Sequence, residues 1–490
     1  MWSLLLLFGT VLIYLFIINE RRRRKYPLGP YPIPFVGNIF NLNINAPELT
    51  INEWRDKYGK IFTIWLPEPI VVLADGKLME TTFGKPGETF AGRPRSSIMD
   101  ILFKGNYGLM LNENDIYKPQ RRFALQTLKN FGFGKSELEP FIIFHIEESI
   151  EQELRRNNFT NQVNTKRIFS VANANVMHKL VFGGTLKDNA EIMRLKIAVE
   201  NVFMDWYKPS WMLLEVMPWL IWLEKFKIYD FGVKRAASYN DVFINFLEHH
   251  INLHKDKRSN GNTEENDYVD CFLAEMEKNS GQGFEYWQFV IACYDLWAAG
   301  VETVTTTLQF AILFLIHNQD VQNRLKKELN NFHEEITVSN LKKLNYLNAF
   351  VQEVHRLANV IPLSLIHETL EPTTIEDYKF ENGTCVIAQL ACFNLDPAHF
   401  PDPTKFKPER HLNSKTGEFT PHQLLKPFSI GKRSCLGESL AKPQLLLILT
   451  VLFKKYRVKS LYPNSLPNIN ARPGLVRVLD DFDCLLVEEE

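Results

Sequence analysis

The sequence predicts a mainly α-helical protein with small β-sheets, an α+β arrangement in a single large domain. Three observations carry this. Phe284 to Leu315 runs without proline and is largely apolar, which reads as one long buried helix. Tyr117 to Phe131 and Leu347 to Ala358 read as helices, the first with Arg121, Ala124, Leu128 and Phe131 on one face. Strand-like runs are few and short: Ile61 to Trp65 with Ile70 to Leu73 around Pro67 and Pro69, Thr384 to Leu390, and terminal strands within Gly474 to Val487.

Taken in order, Met1 to Ile18 is almost wholly apolar and just long enough to span a bilayer. Glu20 and then Arg21, Arg22, Arg23, Arg24 and Lys25 follow it. The positive-inside rule puts that cluster and the rest of the chain on the cytosolic side. A cleaved signal peptide does not fit, because the charge follows the apolar run and no small-residue cleavage site is present. Residues 1–20 therefore read as a single-pass signal anchor in the endoplasmic reticulum membrane. Residues 21–38 read as a basic stop-transfer stretch and a hinge stiffened by Pro27, Pro30, Pro32 and Pro34. Residues 39–490 form the globular body. Ile51 to Tyr58 reads as a short helix, and Phe90-Ala91-Gly92-Arg93-Pro94-Arg95 as a loop whose backbone Pro94 fixes. Trp206, Tyr207, Trp211, Trp219, Trp222 and Phe226 crowd one segment, as core packing or as a lid at a bilayer interface. Lys255 to Asp267 reads as an exposed loop.

A net charge of −1 gives no support to nucleic-acid binding. The six cysteines are scattered with no CxxC pair, which argues against a zinc cluster and a disulfide scaffold. A reducing compartment fits.

Chemistry concentrates in Phe428-Ser429-Ile430-Gly431-Lys432-Arg433-Ser434-Cys435-Leu436-Gly437-Glu438. Two glycines around Cys435 let N–H groups turn toward its sulfur, a helix begins just after it, and Arg433 brings a positive charge. All three favour thiolate, the form that ligates metal. Ala299-Gly300-Val301-Glu302-Thr303 lies mid-way along the long helix. A glycine there costs about 1 kcal/mol against alanine, so a steric reason is expected, either approach of something flat or a helix-packing notch with Glu302 turned to solvent. Thr303 can bond the Ala299 carbonyl. Glu353 and Arg356 share a helix face. The same spacing recurs at Glu20/Arg23, Glu153/Arg156 and Glu191/Arg194, so its weight comes from order: this helix, then Pro408-Glu409-Arg410, then the cysteine loop. Arg121 on an apolar helix side needs an anionic partner.

In this order of anchor, hinge, long helix, charged pair, second arginine and cysteine loop, the whole chain resembles the cytochrome P-450 family. The run Arg121-Arg122-Phe123 to Asn130-Phe131-Gly132 resembles its animal microsomal members that metabolise drugs and steroids. The resemblance implies that residues 39–490 are a haem-thiolate catalytic domain holding haem b, with Cys435 as the axial iron ligand. It assigns Arg93, Tyr117, Arg121, His367 and Arg433 to the haem carboxylates and Ala299 to the oxygen side of the haem. Thr303 and Glu302 would relay protons for O–O cleavage, and Glu353, Arg356 and Arg410 would lock the fold. Three residues depart from the family pattern. Tyr117 and His411 stand where other aromatics are usual, and Pro443 follows Cys435 closely enough that an irregular first helical turn is expected.

The implied reaction puts one atom of dioxygen into an apolar small molecule (xenobiotic, steroid, fatty acid or other organic acid) and releases the other as water. Electrons would come from NADPH through a membrane-bound flavoprotein reductase, with a cytochrome b-type protein as a further donor. The docking face would be Lys118, Arg122, Lys129, Lys426, Lys432 and Lys442, and the substrate pocket would be bordered by Phe103, Phe203 and Ile361 to Leu365. Two other readings are weighed beside it. A haem-thiolate isomerase or synthase would need no proton relay, and a membrane-anchored haem or lipid carrier would show no turnover.

Overall fold

The computed structural model describes residues 10, 14, 16–34, 36–66, 68–84, 87–112, 114–206, 208–278 and 283–489. Most of the apolar N-terminal run, and Pro67 and Tyr207, lie outside the described residues. From its end into the basic stretch residues 16–23 are helical, and Tyr14, Phe16, Ile17 and Ile18 are exposed.

The principal helices are α1 (Pro47–Tyr58), α2 (Asn114–Asn130), α3 (Glu139–Arg156), α4 (Thr165–Phe182), α5 (Asn189–Asp205), α6 (Val233–Ser259), α7 (Tyr286–His317), α8 (Asn345–Ala358) and α9 (Glu438–Lys455). Helix α7 is apolar on every side, so it can only sit inside the body. At 1.5 Å per residue its 32 residues make a rod about 48 Å long. By length and composition it could cross a membrane, but 83% of its most apolar window is buried, so α7 is the core helix. Helices α4, α5, α6 and α8 pack around it.

The strands are β1 (Ile61–Leu66), β2 (Glu68–Leu73), β3 (Gln162–Asn164), β4 (His367–Glu368), β5 (Thr373–Ile375), β6 (Tyr378–Phe380), β7 (Cys385–Ala388), β8 (Tyr456–Ser460) and β9 (Asp483–Glu488). One sheet has the order β1-β2-β7-β4, with β1 and β2 antiparallel and β2 parallel to β7. Side chains alternate across β2, so Ile70 and Val72 enter one small core and Val71 and Leu73 another. A second sheet runs β3-β9-β8, and β5 pairs with β6.

Three expectations are corrected. The turn-rich stretch from Lys255 begins as helix, because α6 continues to Ser259. Of Gly474 to Val487 only the last part is strand. The part before it binds through single backbone contacts, Leu475 N–H to Phe203 and Arg477 N–H to Val360. Helix α9 runs unbroken through Pro443. The missing N–H costs one bond at Ser439, and the buried face from Leu445 to Phe453 holds the helix together.

The expected triad forms as a buried cluster. Arg356 grips Glu353 with two bonds of 2.8 Å, and both are 0% exposed. Arg410 Nε lies 3.0 Å and His411 Nε2 2.9 Å from the same carboxylate, and the Lys407 N–H donates to it at 2.9 Å. His411 therefore does more than fill an aromatic position. Burial alone would raise the Glu353 carboxyl, but Arg356 and His411 outweigh it and hold it at about 2. A carboxylate held below its unfolded value stabilises the fold above that value and loses the contribution as it protonates. Stability of the purified protein is accordingly expected to erode between about pH 5 and pH 2. Glu353→Ala, which strands a buried arginine, should cost roughly 3–5 kcal/mol in chemical unfolding at pH 7. A variant as stable as wild type would refute the assignment.

Candidate active site

The cysteine loop is built on a tight turn. Ser429 and Gly431 have φ of 62° and +83°. A Cβ on Gly431 would run into the Phe83 carbonyl, so glycine alone fits. Gly437, by contrast, has ordinary backbone at φ −81°. The Cys435 N–H is taken by Phe428 O at 2.9 Å. Cys435 is exposed, yet enough protein surrounds it that desolvation is the largest influence on its thiol. Together these describe a recess, not a surface knob.

Burial raises that thiol above its ordinary value. The N–H groups of Gly437 and Glu438 and the charge of Arg121 pull it back, while the Glu438 carboxylate opposes them. The net direction is upward, which corrects the expectation that the loop favours thiolate unaided. Nor does Arg433 serve the sulfur. It donates to Ala91 O at 2.8 Å and to Asn112 O at 2.9 Å, and its guanidinium lies 3.4 Å from the centre of the Tyr117 ring.

The structure brings the other expected residues beside this loop. Arg93 is buried and donates to Ile366 O at 2.7 Å and Met110 O at 3.3 Å. Arg121 donates to Ser434 O at 2.7 Å. The Tyr117 hydroxyl donates to Lys432 O, so with its ring under Arg433 it positions the loop. The His367 ring bonds Phe90 O through Nδ1 at 2.7 Å. Burial, then the nearby Arg93, pushes that imidazole down to about 3, so it is neutral. Burial lowers Arg93 to about 9, with the charge of Arg433 adding to it. Among the described residues no carboxylate pairs with Arg93, Arg121 or Arg433, and the amide nitrogen of Asn112 is buried without a partner. The cluster is rich in donors and short of an anion.

On α7, Ala299 is exposed and Thr303 half-buried in a helix that is otherwise interior. Thr303 Oγ1 donates to Ala299 O at 2.8 Å, as expected. The steric reason for Gly300 is different from a flat ligand: a Cβ there would stand 2.5 Å from Met177 Sδ on α4. Glu302 does not face solvent. It is 1% exposed and meets Lys196 Nζ of α5 at 2.8 Å.

Two features escaped the sequence. Asp295, on the Ala299–Thr303 face, accepts the N–H groups of Leu109 at 2.7 Å and Met110 at 2.9 Å. Burial pushes it up to about 7. The only signal was a carboxylate four residues before Ala299. Gln444 of α9 donates to Asn173 of α4 at 2.7 Å, and Asn173 to Thr305 of α7 at 3.0 Å. This buried amide tie fixes the cysteine-loop helix against the long helix, and no spacing rule announces it.

Residues 27–483 match the family model Cytochrome P-450. A probable cytochrome P-450 of Caenorhabditis elegans, CYP36A1, is 36% identical over 91% of this chain and 92% of its own length. Human cytochrome P-450 2J2 is 30% identical over 94% and 91%, and rat cytochrome P-450 2C23 is 30% identical over 95% and 94%. The chain belongs to the cytochrome P-450 family. It is therefore an oxidoreductase of the haem-thiolate monooxygenase class with the P-450 fold.

The residues present fit a P-450 haem. An accessible sulfur lies in a recess, and beside it stand buried cations that lack a protein anion. The basic face is weaker than expected, because Lys118 and Lys432 share Glu88 at 3.3 and 3.5 Å, and Lys442 pairs with Glu438 at 2.6 Å. Lys426 reaches Glu80 at 3.5 Å, while Arg122 and Lys129 are exposed. The tryptophan segment divides: Trp211 is core and bonds Phe231 O at 3.0 Å, whereas Trp219, Trp222 and Phe226 are exposed.

Gly300→Ala is expected to overpack Met177 and to destabilise by about 1–2 kcal/mol, read in chemical unfolding. Met177→Ala should relieve that cost in the double variant. Independent, additive effects would show that Gly300 has another reason.

Proposed function

We propose that Cys435 ligates the iron of haem b, that Arg93, Arg121 and Arg433 meet its carboxylates, and that the site hydroxylates an apolar small molecule. The observation that carries this is that buried Arg93 and Arg433 and half-buried Arg121 have no protein carboxylate beside an exposed cysteine. Unpaired buried charge is costly, so the cluster calls for an anion the chain does not supply. Haem would bring that anion and, through an iron made electron-rich by thiolate, the activation of dioxygen.

The protein's own groups divide the remaining work. Tyr117 and Asn112 orient Arg433, and Ser434 O holds Arg121. Asp295 fastens residues 109–110 against α7, which keeps water from that wall. Thr303 rests on the Ala299 carbonyl and can turn its hydroxyl to hold a proton on the exposed side of the helix. Glu302 next to it, paired with Lys196, would be the second group to take up a proton. The substrate class is an apolar xenobiotic, steroid, fatty acid or other organic acid.

Electrons would reach the site one at a time from NADPH through a flavoprotein reductase drawn to Arg122 and Lys129. Residues 1–20 would anchor the protein in the endoplasmic reticulum membrane with the body in the cytosol. The exposed Trp219, Trp222, Phe226, Ile228 and Tyr229, set among Lys225 and Lys227, suit a bilayer interface and support that placement.

Reduced protein under carbon monoxide should show the thiolate-type Soret shift, and Cys435→Ser should lose it. A variant that keeps the shift would remove Cys435 as ligand. Thr303→Ala should bind haem normally but divert NADPH electrons to peroxide, measured as product formed per NADPH consumed. Unchanged coupling would remove Thr303 from proton handling.

A further inference from the structure

His254, near the end of α6, has an acceptor at each ring nitrogen. Nδ1 lies 2.8 Å from the His250 carbonyl oxygen, and Nε2 lies 2.9 Å from Asp267 Oδ2. The other Asp267 oxygen accepts the Asp270 N–H at 2.9 Å and so caps the helix Tyr268–Lys278. A neutral imidazole has one N–H and one lone pair, so it can satisfy either the carbonyl or the carboxylate but not both. The ring therefore carries both protons and a positive charge. His254, Asp267 and Asp270 are all buried, and a ring nitrogen and one oxygen of each acid lie within 4.8 Å of one another. The end of α4 closes the remaining side. Gly183, where α4 stops, has φ +75°, and a Cβ there would stand 2.7 Å from Asp267 Oδ2.

The titratable groups around the ring are His249 and His250 on α6, His178 on α4, and the two aspartates. Lys257 and Cys271 bear on the aspartates, and Lys179 bonds the Gly183 carbonyl. Burial pushes His178 down to about 3 and His250 to about 4, so both are neutral. Burial lowers His254 too, but Asp267 outweighs it and leaves the ring above its ordinary value.

We propose that His254, Asp267 and Asp270 form a pH-sensitive clasp. Closed, the charged ring pins the end of α6 to the helix Tyr268–Lys278 across the exposed stretch 259–266. When one proton leaves the ring for water, a lone pair faces the Asp267 carboxylate, and two buried acids lose their nearest cation. The pair then separates and 255–267 opens. A group raised above its unfolded value stabilises below that value and loses the contribution as pH rises through the folded one. The clasp therefore opens on the alkaline side, opposite in sign to the erosion expected of Glu353. Opening is local, because the first half of α6 is held elsewhere. Asn240 donates to Leu102 O at 2.8 Å, and Phe243 packs on Tyr294 and Trp297 of α7. No residue of the clasp belongs to the Cys435 recess, so it stands or falls apart from the haem reading.

The test is hydrogen exchange of the full-length protein, read by mass spectrometry and corrected for the intrinsic pH dependence of amide exchange. Between about pH 6 and about pH 9, which bracket the ordinary imidazole range, protection of 255–267 should fall ~10-fold, while 233–247 and 286–317 keep theirs. Asp267→Asn keeps a good helix cap but offers the ring no charge, so the pH step should vanish. His254→Gln should leave the stretch open at both pH values. Metal analysis accompanies the exchange. Stoichiometric zinc, or acid-side protection that a chelator removes, would show that a metal and not a proton joins ring and carboxylate. That result overturns the proposal, as does equal wild-type protection at both pH values or a step that survives in Asp267→Asn. The wild-type measurement decides even where a variant does not fold.

Discussion

The position of the cysteine loop depends on one carboxylate. Glu353 is shared by Arg356, Arg410, His411 and the Lys407 N–H, and the two guanidiniums spend their remaining donors on the carbonyls of Asn394, Pro401, Asp402, Pro403 and Lys405. That stretch has little regular structure of its own, so its backbone acceptors would go unsatisfied if buried without partners. The arginines supply them. A segment that lacks a ladder is thereby fixed to α8, and the cysteine loop that follows inherits a defined starting point. The same logic explains why His411 suits its place: it brings a donor to the second oxygen of a carboxylate already gripped twice.

Buried charge is handled in two opposite ways in this fold. Around Glu353, and along Lys196, Glu200 and Lys166, every cation touches an anion. Around the recess, Arg93, Arg121 and Arg433 touch carbonyls and a ring face instead. Carbonyl bonds satisfy N–H groups but do not cancel charge, which is why burial and mutual repulsion lower Arg93 to about 9. A cluster completed by the chain is structural, and one left short of its counter-ion suits the proposed haem carboxylates.

What could be read from the sequence was local. The extent of α7, the strand pair β1–β2, the Thr303-to-Ala299 bond and the Glu353–Arg356 pair follow from periodicity, composition and spacings of three or four residues. What could not be read was the identity of partners distant in the chain. Gly300 exists for Met177, Glu302 faces Lys196, Asp295 holds residues 109–110, and Gln444 reaches Thr305 through Asn173. Each depends on how two helices are rotated about their axes, which a single chain's periodicity leaves open. Pro443 failed differently: the local rule was right about the lost hydrogen bond, but tertiary burial of α9 overrode it.

The thiol of Cys435 shows how far local chemistry reaches. Glycine, helix terminus and arginine all act in the expected direction, and desolvation still exceeds them. A coordinating metal deprotonates a thiol outright, so a ligating loop does not need to ionise its cysteine beforehand. It needs to present the sulfur in a recess, keep the Gly437 and Glu438 N–H groups aimed at it, and hold its backbone clear of Phe83 through Gly431. The loop supplies geometry, and the charge that completes both the sulfur and the arginines comes with the bound group. On this account the recess is electrostatically incomplete by construction. Filling it should tighten the tie that Arg433 already makes, through Ala91 and Asn112, between the N-terminal loops and the C-terminal loop that carries Cys435.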